Sequence, residues 1–297
     1  MTTSPVSLSG FAPAKVNLTL HVGPVKPNGR HNLDSLVVFS DASAADHLTA
    51  ELAEDITLDV SGPTAPASGD PADNLVLRAA LALKAASGTP KGTRLRLIKR
   101  LPVAAGIGGG SSDAAVALRL LTELWGVDPA HAIALAPSLG GDVPVALSGL
   151  PALMRGEGER VIPCVVPPVA ALLVNPGVAC PTGPIFRAYD AAGGGAGFAE
   201  TDPPADLQDA KQLVAWLRHQ RNDLEAPAIA LVPEIAAVLE TLAAQPGVLL
   251  ARMSGSGATC FAIFEAIAFA ERAGVVLKSQ PATKTWWTAA CRLGAAP

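Results

Sequence analysis

The sequence predicts an α+β protein of two domains. Three observations carry this. The chain has 297 residues, about twice a typical domain of roughly 150. Segments that alternate apolar and polar residues are interleaved with segments whose apolar residues recur every three to four positions. The character of the chain changes near residue 163, after which the large glycine-rich motifs of the first half give way to alternating strand and helix signals. The expected division is 1–162 and 163–297.

Val16, Leu18, Leu20 and Val22 alternate with Lys15, Asn17, Thr19 and His21, the period of a strand, which sets Lys15 and Asn17 on one face away from the apolar one. Further strand signals lie at 36–39, 48–52 and 56–60, and 61–72 reads as a Pro/Gly/Ser/Ala loop. Residues 74–86 read as a helix with Asp73 as N-cap and Gly88 as stop. Leu95 and Leu97 mark another strand, followed by a glycine-rich loop at 106–112. The next helix carries Ala114, Ala117, Leu118, Leu121 and Trp125 on one face, and Asp128-Pro129 opens a third.

Beyond residue 163, strands are expected at 171–174, 248–252, 258–264 and 284–289. Helices are expected at 185–189, 207–219, 234–244 and 266–277, with a flexible Gly/Ala segment at 191–197. The order β-α-α-β-β-α-β resembles a ferredoxin-like half. Trp286 and Trp287 are expected in core packing.

Composition narrows the function. Lys and Arg number 22 against 26 Asp and Glu, a net charge of −4, which lacks the basic stripe of a general nucleic-acid binder. The first ten residues have neither a basic cluster nor an apolar core, so no signal peptide is expected. The most membrane-like stretch, 161–174, holds Pro163, Pro167 and Pro168 and is too short to span a bilayer. A cytoplasmic protein is expected. Cys164, Cys180, Cys260 and Cys291 show no CxxC spacing, so they read as buried reduced thiols rather than a zinc site.

The strongest chemical signal is Leu101-Pro102-Val103-Ala104-Ala105-Gly106-Ile107-Gly108-Gly109-Gly110-Ser111-Ser112-Asp113-Ala114-Ala115. Glycines let the backbone curl and aim its N–H groups at an anion. A helix beginning near Asp113 adds its positive end. Ser111 and Ser112 add hydroxyls for phosphate oxygens or a metal ion. There is no GxxxxGK[ST], so a Walker P-loop is excluded. Gly106-Ile107-Gly108 begins like a dinucleotide fingerprint, but Ser111 stands at its last position and Lys99-Arg100-Leu101-Pro102 parts it from the strand, which disfavours an oxidoreductase.

This loop resembles that of the GHMP small-molecule kinases, and its Gly-Gly-Gly-Ser-Ser-Asp form resembles the members whose acceptor alcohol carries a cytidine diphosphate. Four further segments match in order: 12–18 (Ala-Pro-Ala-Lys-Val-Asn-Leu), 28–33 (Asn-Gly-Arg-His-Asn-Leu), 140–145 (Gly-Gly-Asp-Val-Pro-Val) and 254–258 (Ser-Gly-Ser-Gly-Ala). The resemblance implies an N-terminal domain like ribosomal protein S5 with a left-handed βαβ unit, a C-terminal ferredoxin-like domain, and ATP and acceptor meeting between them. It implies γ-phosphoryl transfer from ATP, with Mg²⁺, to the 2-hydroxyl of a diphosphocytidyl-linked methylerythritol unit on the non-mevalonate route to isoprenoid precursors.

By the same resemblance Asp142 is the general base and Lys15 its partner, which stabilises developing oxygen charge. Pro102, Gly106, Ile107, Gly108, Gly109, Gly110, Ser111 and Ser112 hold the triphosphate, with Ser112 a candidate metal ligand. Asn74 and Lys99 match positions near the adenine side. Asn17, Arg30, His31, Asp142, Thr182, Phe186, Ser254, Gly255 and Gly257 fall to the acceptor, with Asp34 and Ser35 in a matching segment. His31 would read the cytosine edge and Phe186 stack on its face. Arg30 departs from the Tyr common in these kinases, although a guanidinium can also stack on a base. Asp113 reads as helix N-terminal charge. A GHMP kinase for homoserine or mevalonate remains an alternative, as does a non-catalytic metabolite sensor on this fold; the first would leave His31 and Phe186 unexplained, the second Lys15 and Asp142.

Overall fold

The computed structural model describes residues 6–194 and 197–294. The first five residues, and residues 195 and 196 of the expected flexible segment, lie outside the described residues. The chain runs β1 (Ser7–Pro13), β2 (Lys15–Asn17), β3 (His21–Val25), β4 (His31–Phe39), β5 (Ala45–Ala53), β6 (Ile56–Ser61), α1 (Leu75–Ser87), β7 (Gly92–Ile98), α2 (Gly109–Trp125), α3 (Pro129–Leu139) and α4 (Val143–Ser148). It continues through β8 (Ala152–Gly156), β9 (Arg160–Pro163), β10 (Val169–Asn175), α5 (Thr182–Ala191), α6 (Ala210–Leu217), α7 (Glu225–Leu231), α8 (Glu234–Ala243), β11 (Val248–Met253), β12 (Cys260–Phe264), α9 (Ile267–Ser279) and β13 (Trp287–Leu293).

The chain divides into two compact units that interleave in sequence: 1–14, 45–103 and 108–149 form one, and 15–44, 104–107 and 150–297 the other. In the first unit the sheet order is β1-β5-β7-β6. The pair β6 and β7 is parallel and joined through α1, and the other pairs are antiparallel. Helix α2 is buried along most of its length and packs on α1, β1 and β5. Its wide apolar stripe explains this, because Val116, Leu120 and Leu124 are buried beside the residues expected from the sequence.

The second unit holds two sheets. One is β2-β4-β8-β9 with β3 also on β4. The other is antiparallel with order β11-β12-β10-β13. With α9 between β12 and β13, this is the expected ferredoxin-like arrangement. Its core includes Leu172, Val174, Ile235, Val238, Cys260 and Phe264, with Trp286 packed at the edge.

Several boundaries differ from the sequence reading, each for a local reason. The N-cap of α1 is Asn74, not Asp73: the Asn74 Oδ1 accepts the Val76 N–H at 2.9 Å. The strand through Val16 and Val22 is broken at residues 18–20. There Leu20 turns to residues 221–223, donating to Arg221 O and accepting from Asp223 N. The face carrying Lys15, Asn17, Thr19 and His21 is as buried as the apolar one. The last strand starts at Trp287 because Lys284 and Trp286 close turns after α9. Strands β1, β8 and β9 and helices α4 and α7 had no clear periodic signal. Cys180, Cys260 and Cys291 are buried free thiols, whereas Cys164 is half-exposed. Among the described residues no helix is long and apolar enough to cross a membrane.

Candidate active site

In the first unit the glycine motif is already helix. Gly108 takes the left-handed conformation (φ 61°) as N-cap of α2, and Ser112 N–H closes the first turn on Gly108 O at 2.9 Å. The helix therefore starts four residues before Asp113. Gly109, Gly110 and Ser111 form its first turn, where backbone N–H groups have no partner inside the helix and point outward with the positive end of the dipole. That is an anion site made of backbone. Ser112 is buried and its hydroxyl has no hydrogen-bond partner among the described residues, the state of a polar atom open to a ligand. Pro102 is half-buried on the approach from β7.

Asp113 stands in the second turn, buried, so it is not a charge at the helix end. Its Oδ2 accepts from Lys99 Nζ at 2.7 Å, and the same ammonium contacts Asp46 Oδ2. Asp46 Oδ1 accepts the backbone N–H groups of Arg100 (2.5 Å) and Leu101 (2.9 Å). Asp46 thus ties down the chain that leaves β7, and Lys99 links that tie to α2. Contact between the Lys99 ammonium and ATP would require opening this sealed pair. Burial pushes the Asp113 carboxyl up to about 7, with Asp46 adding repulsion and Lys99 opposing it. Burial would lower Lys99, but Asp113 and Asp46 outweigh it and hold it raised. The consistent assignment is an ion pair between Lys99 and Asp46 beside a readily protonated Asp113.

Asn74 serves as the α1 cap. The turn at Gly140–Asp142 lies beside the α2 start: a Cβ built on Gly140 would sit 3.7 Å from Ser111 Oγ. Asp142 is half-buried at the head of α4, and its side chain does not cap that helix. The proposed base and the start of the anion site are neighbours within one unit.

In the second unit, Lys15 is buried, and its N–H donates to Ile107 O at 2.9 Å. Asn17 N–H donates to Ser254 Oγ (3.1 Å), which donates to Gly106 O (3.2 Å). Gly106 has φ 73°, and a Cβ there would meet Gly257 O at 2.6 Å, so only glycine fits. Gly255 backs onto Gly106 O, and Asn222 Nδ2 holds the turn through Met253 O and Gly255 O. Thr182 Oγ1 and Ser256 Oγ are 2.9 Å apart. The structure thus joins 15–17, 104–107, 254–257 and Thr182. Asn17 Nδ2 donates to Ser35 Oγ, while its Oδ1 is buried with no hydrogen-bond partner among the described residues.

His31 begins β4. Its ring lies 4.9 Å from that of Phe186 and 6.0 Å from that of Tyr189, and its Nε2 is 2.8 Å from Asp190 Oδ1. Arg30 is exposed and pairs with Glu157 at 3.2 Å. Lys26 and Asn28 also hold Glu157 and draw its carboxyl down to about 2. Asp34 and Ser35 are internal. Asp34 accepts from Arg155 Nε and Thr201 N–H, and Ser35 Oγ donates to Thr19 O.

Asp46, Arg155, Asp190 and Asn222 were not singled out from sequence. Of these, Asp190 left a partial signal: it lies four residues after Phe186, one position past the helix expected at 185–189, and shares its face because α5 runs on to Ala191.

The GHMP kinases N terminal domain model matches residues 74–150, and the GHMP kinases C terminal model matches 205–274. A 4-diphosphocytidyl-2-C-methyl-D-erythritol kinase of Hyphomonas neptunium is 71% identical, with 100% of each chain covered. The enzyme of the same name from Cereibacter sphaeroides is 48% identical over 95% of this chain and 98% of its own. A crystal structure of 4-(cytidine 5′-diphospho)-2C-methyl-D-erythritol kinase superposes with TM-score 0.77 at 36% identity, covering 97% of this chain and 100% of that one. With this fold, these motifs and these relatives, the chain belongs to the GHMP kinase family, in its 4-diphosphocytidyl-2-C-methyl-D-erythritol kinase branch.

Proposed function

We propose that this protein transfers the γ-phosphoryl of ATP to the 2-hydroxyl of 4-diphosphocytidyl-2-C-methyl-D-erythritol, in the cytoplasm, on the non-mevalonate route to isoprenoid precursors. The observation that carries the reading is the 71% identity, end to end, with the Hyphomonas enzyme of that name. The anion site at the start of α2 supports it, because such transfers depend on phosphate positioning and charge neutralisation more than on covalent chemistry. A division at 162/163 into an ATP-binding and a ferredoxin-like domain belongs to the same proposal, and the two family-model spans fall on either side of it.

Asp142 takes the proton of the attacking hydroxyl, and Lys15 stabilises the developing oxygen charge. Gly106, Ile107 and the backbone N–H groups of Gly108–Ser111 hold the phosphates, and Asn74 and the stem of Lys99 flank the nucleotide. Asn17, Thr182, Ser254, Gly255 and Gly257 line the polyol side, while Arg30, His31 and Phe186 take the cytosine. The unpartnered Ser112 hydroxyl fits Mg²⁺ held mainly by phosphate oxygens, and the ion would neutralise phosphoryl charge when bound.

Purified protein given ATP and a panel of acceptors should release ADP with the diphosphocytidyl alcohol and not with homoserine or mevalonate. Asp142→Asn should lower turnover by about 10²–10⁴-fold, the range of a general base, with ATP affinity unchanged. ADP release driven by another acceptor, or near-normal turnover in the variant, would overturn the reading.

A further inference from the structure

The His31 imidazole is boxed by one stretch of α5. Phe186 lies against its face, Tyr189 stands edge-on at 6.0 Å, and Asp190 Oδ1 is 2.8 Å from Nε2. Ring plane, ring edge and one ring nitrogen are met by three residues within five positions. The other nitrogen, Nδ1, has no hydrogen-bond partner among the described residues. At His21, by contrast, both ring nitrogens are buried with no hydrogen-bond partner among the described residues, and Nδ1 lies 3.9 Å from Asp34 Oδ2.

The hydrogen bond made by one imidazole nitrogen decides the state of the other. A carboxylate can only accept. With Asp190 ionised, the neutral His31 carries its proton on Nε2, and Nδ1 is left as an acceptor. Cytosine offers a 4-amino donor where uracil offers a 4-carbonyl acceptor. An acceptor at Nδ1 therefore pairs with the first and faces the second lone pair to lone pair. The opposite tautomer would reverse the preference.

We infer that Asp190 is a specificity-determining positioning residue: it fixes the His31 tautomer so that Nδ1 selects the 4-amino group of cytosine against the 4-carbonyl of uracil. The inference rests on the cytidine reading above. Asp190 is partly exposed, with 31% of its side-chain surface open to solvent. It is therefore not a sealed structural charge, and its replacement leaves no buried unpaired group apart from the imidazole itself.

The test is calorimetric titration with cytidine 5′-diphosphate and uridine 5′-diphosphate, with a non-hydrolysable ATP analogue saturating the nucleotide site. Wild type should prefer the cytidine compound. Asp190→Ala and Asp190→Asn should reduce that preference by about tenfold, as expected for one ordinary hydrogen bond, and Asp190→Glu should restore it. The KM for the diphosphocytidyl acceptor should rise with kcat and the ATP KM unchanged. At about pH 8.5, above the imidazole range, the ¹⁵N shifts of His31 should report a proton on Nε2 in wild type and a tautomer mixture in Asp190→Ala. Retained preference or an unchanged ¹⁵N pattern in Asp190→Ala would overturn the role of Asp190 alone. A wild type that binds both nucleotides equally would overturn the cytidine reading itself.

Discussion

In the first unit, Lys99 is closed between Asp46 and Asp113, with every one of these side chains at 5% exposure or less. In the second, Arg155 joins the buried Asp34 on one side to Glu200 and Asp202, 43% and 74% exposed, on the other. Each is a basic residue among carboxylates, yet the consequences diverge. In the sealed cluster no water can serve a spare oxygen. Asp113 Oδ1 has no hydrogen-bond partner among the described residues, and that carboxyl is the one pushed up. In the open cluster burial would also raise Asp34, but His21, with Nδ1 3.9 Å away, the Arg155 guanidinium and the Thr201 N–H together outweigh it and hold Asp34 below the ordinary carboxylate range. Closed charge fixes backbone, here the approach to the anion site, whereas open charge leaves groups that solvent or a ligand can still address.

The largest expected effect breaks the closed cluster. Lys99→Met strands the Asp46 carboxylate in the interior, which costs about 3–5 kcal/mol for a buried pair that loses one member. Arg155→Met removes hydrogen bonds to a charged group, worth about 1.5–3 kcal/mol, and leaves Asp34 with the Thr201 N–H. Chemical denaturation of both variants should rank them in that order; equal losses would remove the distinction between closed and open.

Phe186 sharpens the comparison from the open side. It is only partly buried against the core, and base–aromatic stacking is worth about 1–3 kcal/mol. Phe186→Ala should then weaken the diphosphocytidyl acceptor by about 5- to 150-fold while the ATP KM stays put. A steady-state comparison with a truncated acceptor lacking cytidine, which should be unaffected, isolates the stack.

The remaining effect is a pH dependence. The folded-state value of Asp113, about 7, lies above the free carboxylate value of about 3.9, so the folded state binds this proton more tightly than the unfolded one. The cost of ionising Asp113 is absent below about pH 4 and complete above about pH 7. Asp113→Asn, which keeps the shape without the charge, should gain on wild type in urea midpoint as pH rises from 5 to 8. A constant difference across that range would mean that Asp113 is ionised throughout.

The loop, the turn at 140–142 and the 254–257 turn were legible in sequence because glycines, serines and aspartate at fixed spacing meet a backbone demand that composition advertises. The start of α2 was misplaced because three consecutive glycines carry poor helix propensity. The Ser112–Gly108 hydrogen bond and the packing of α2 on α1, β1 and β5 override it. Asp46 was invisible because a single aspartate in an alternating strand reads as its solvent face, and only the partner 53 positions away makes it internal.

The sequence by itself determined the two-domain α+β class and the ferredoxin-like order of the second half, and it pointed to the glycine motif as a phosphate cradle. These rest on local chemistry: periodicity, turn residues and glycine spacing. Lys15, His31 and Asp142 were marked by the resemblance of their segments to the GHMP kinases. Only the tertiary structure decided that the polar face of 15–21 is buried, that Lys99 is shared by two aspartates, and that Asp190 lies against the imidazole of His31. Those facts depend on the juxtaposition of residues 14 to 237 positions apart, and a carboxylate or an ammonium takes its charge state from neighbours that chain distance does not reveal.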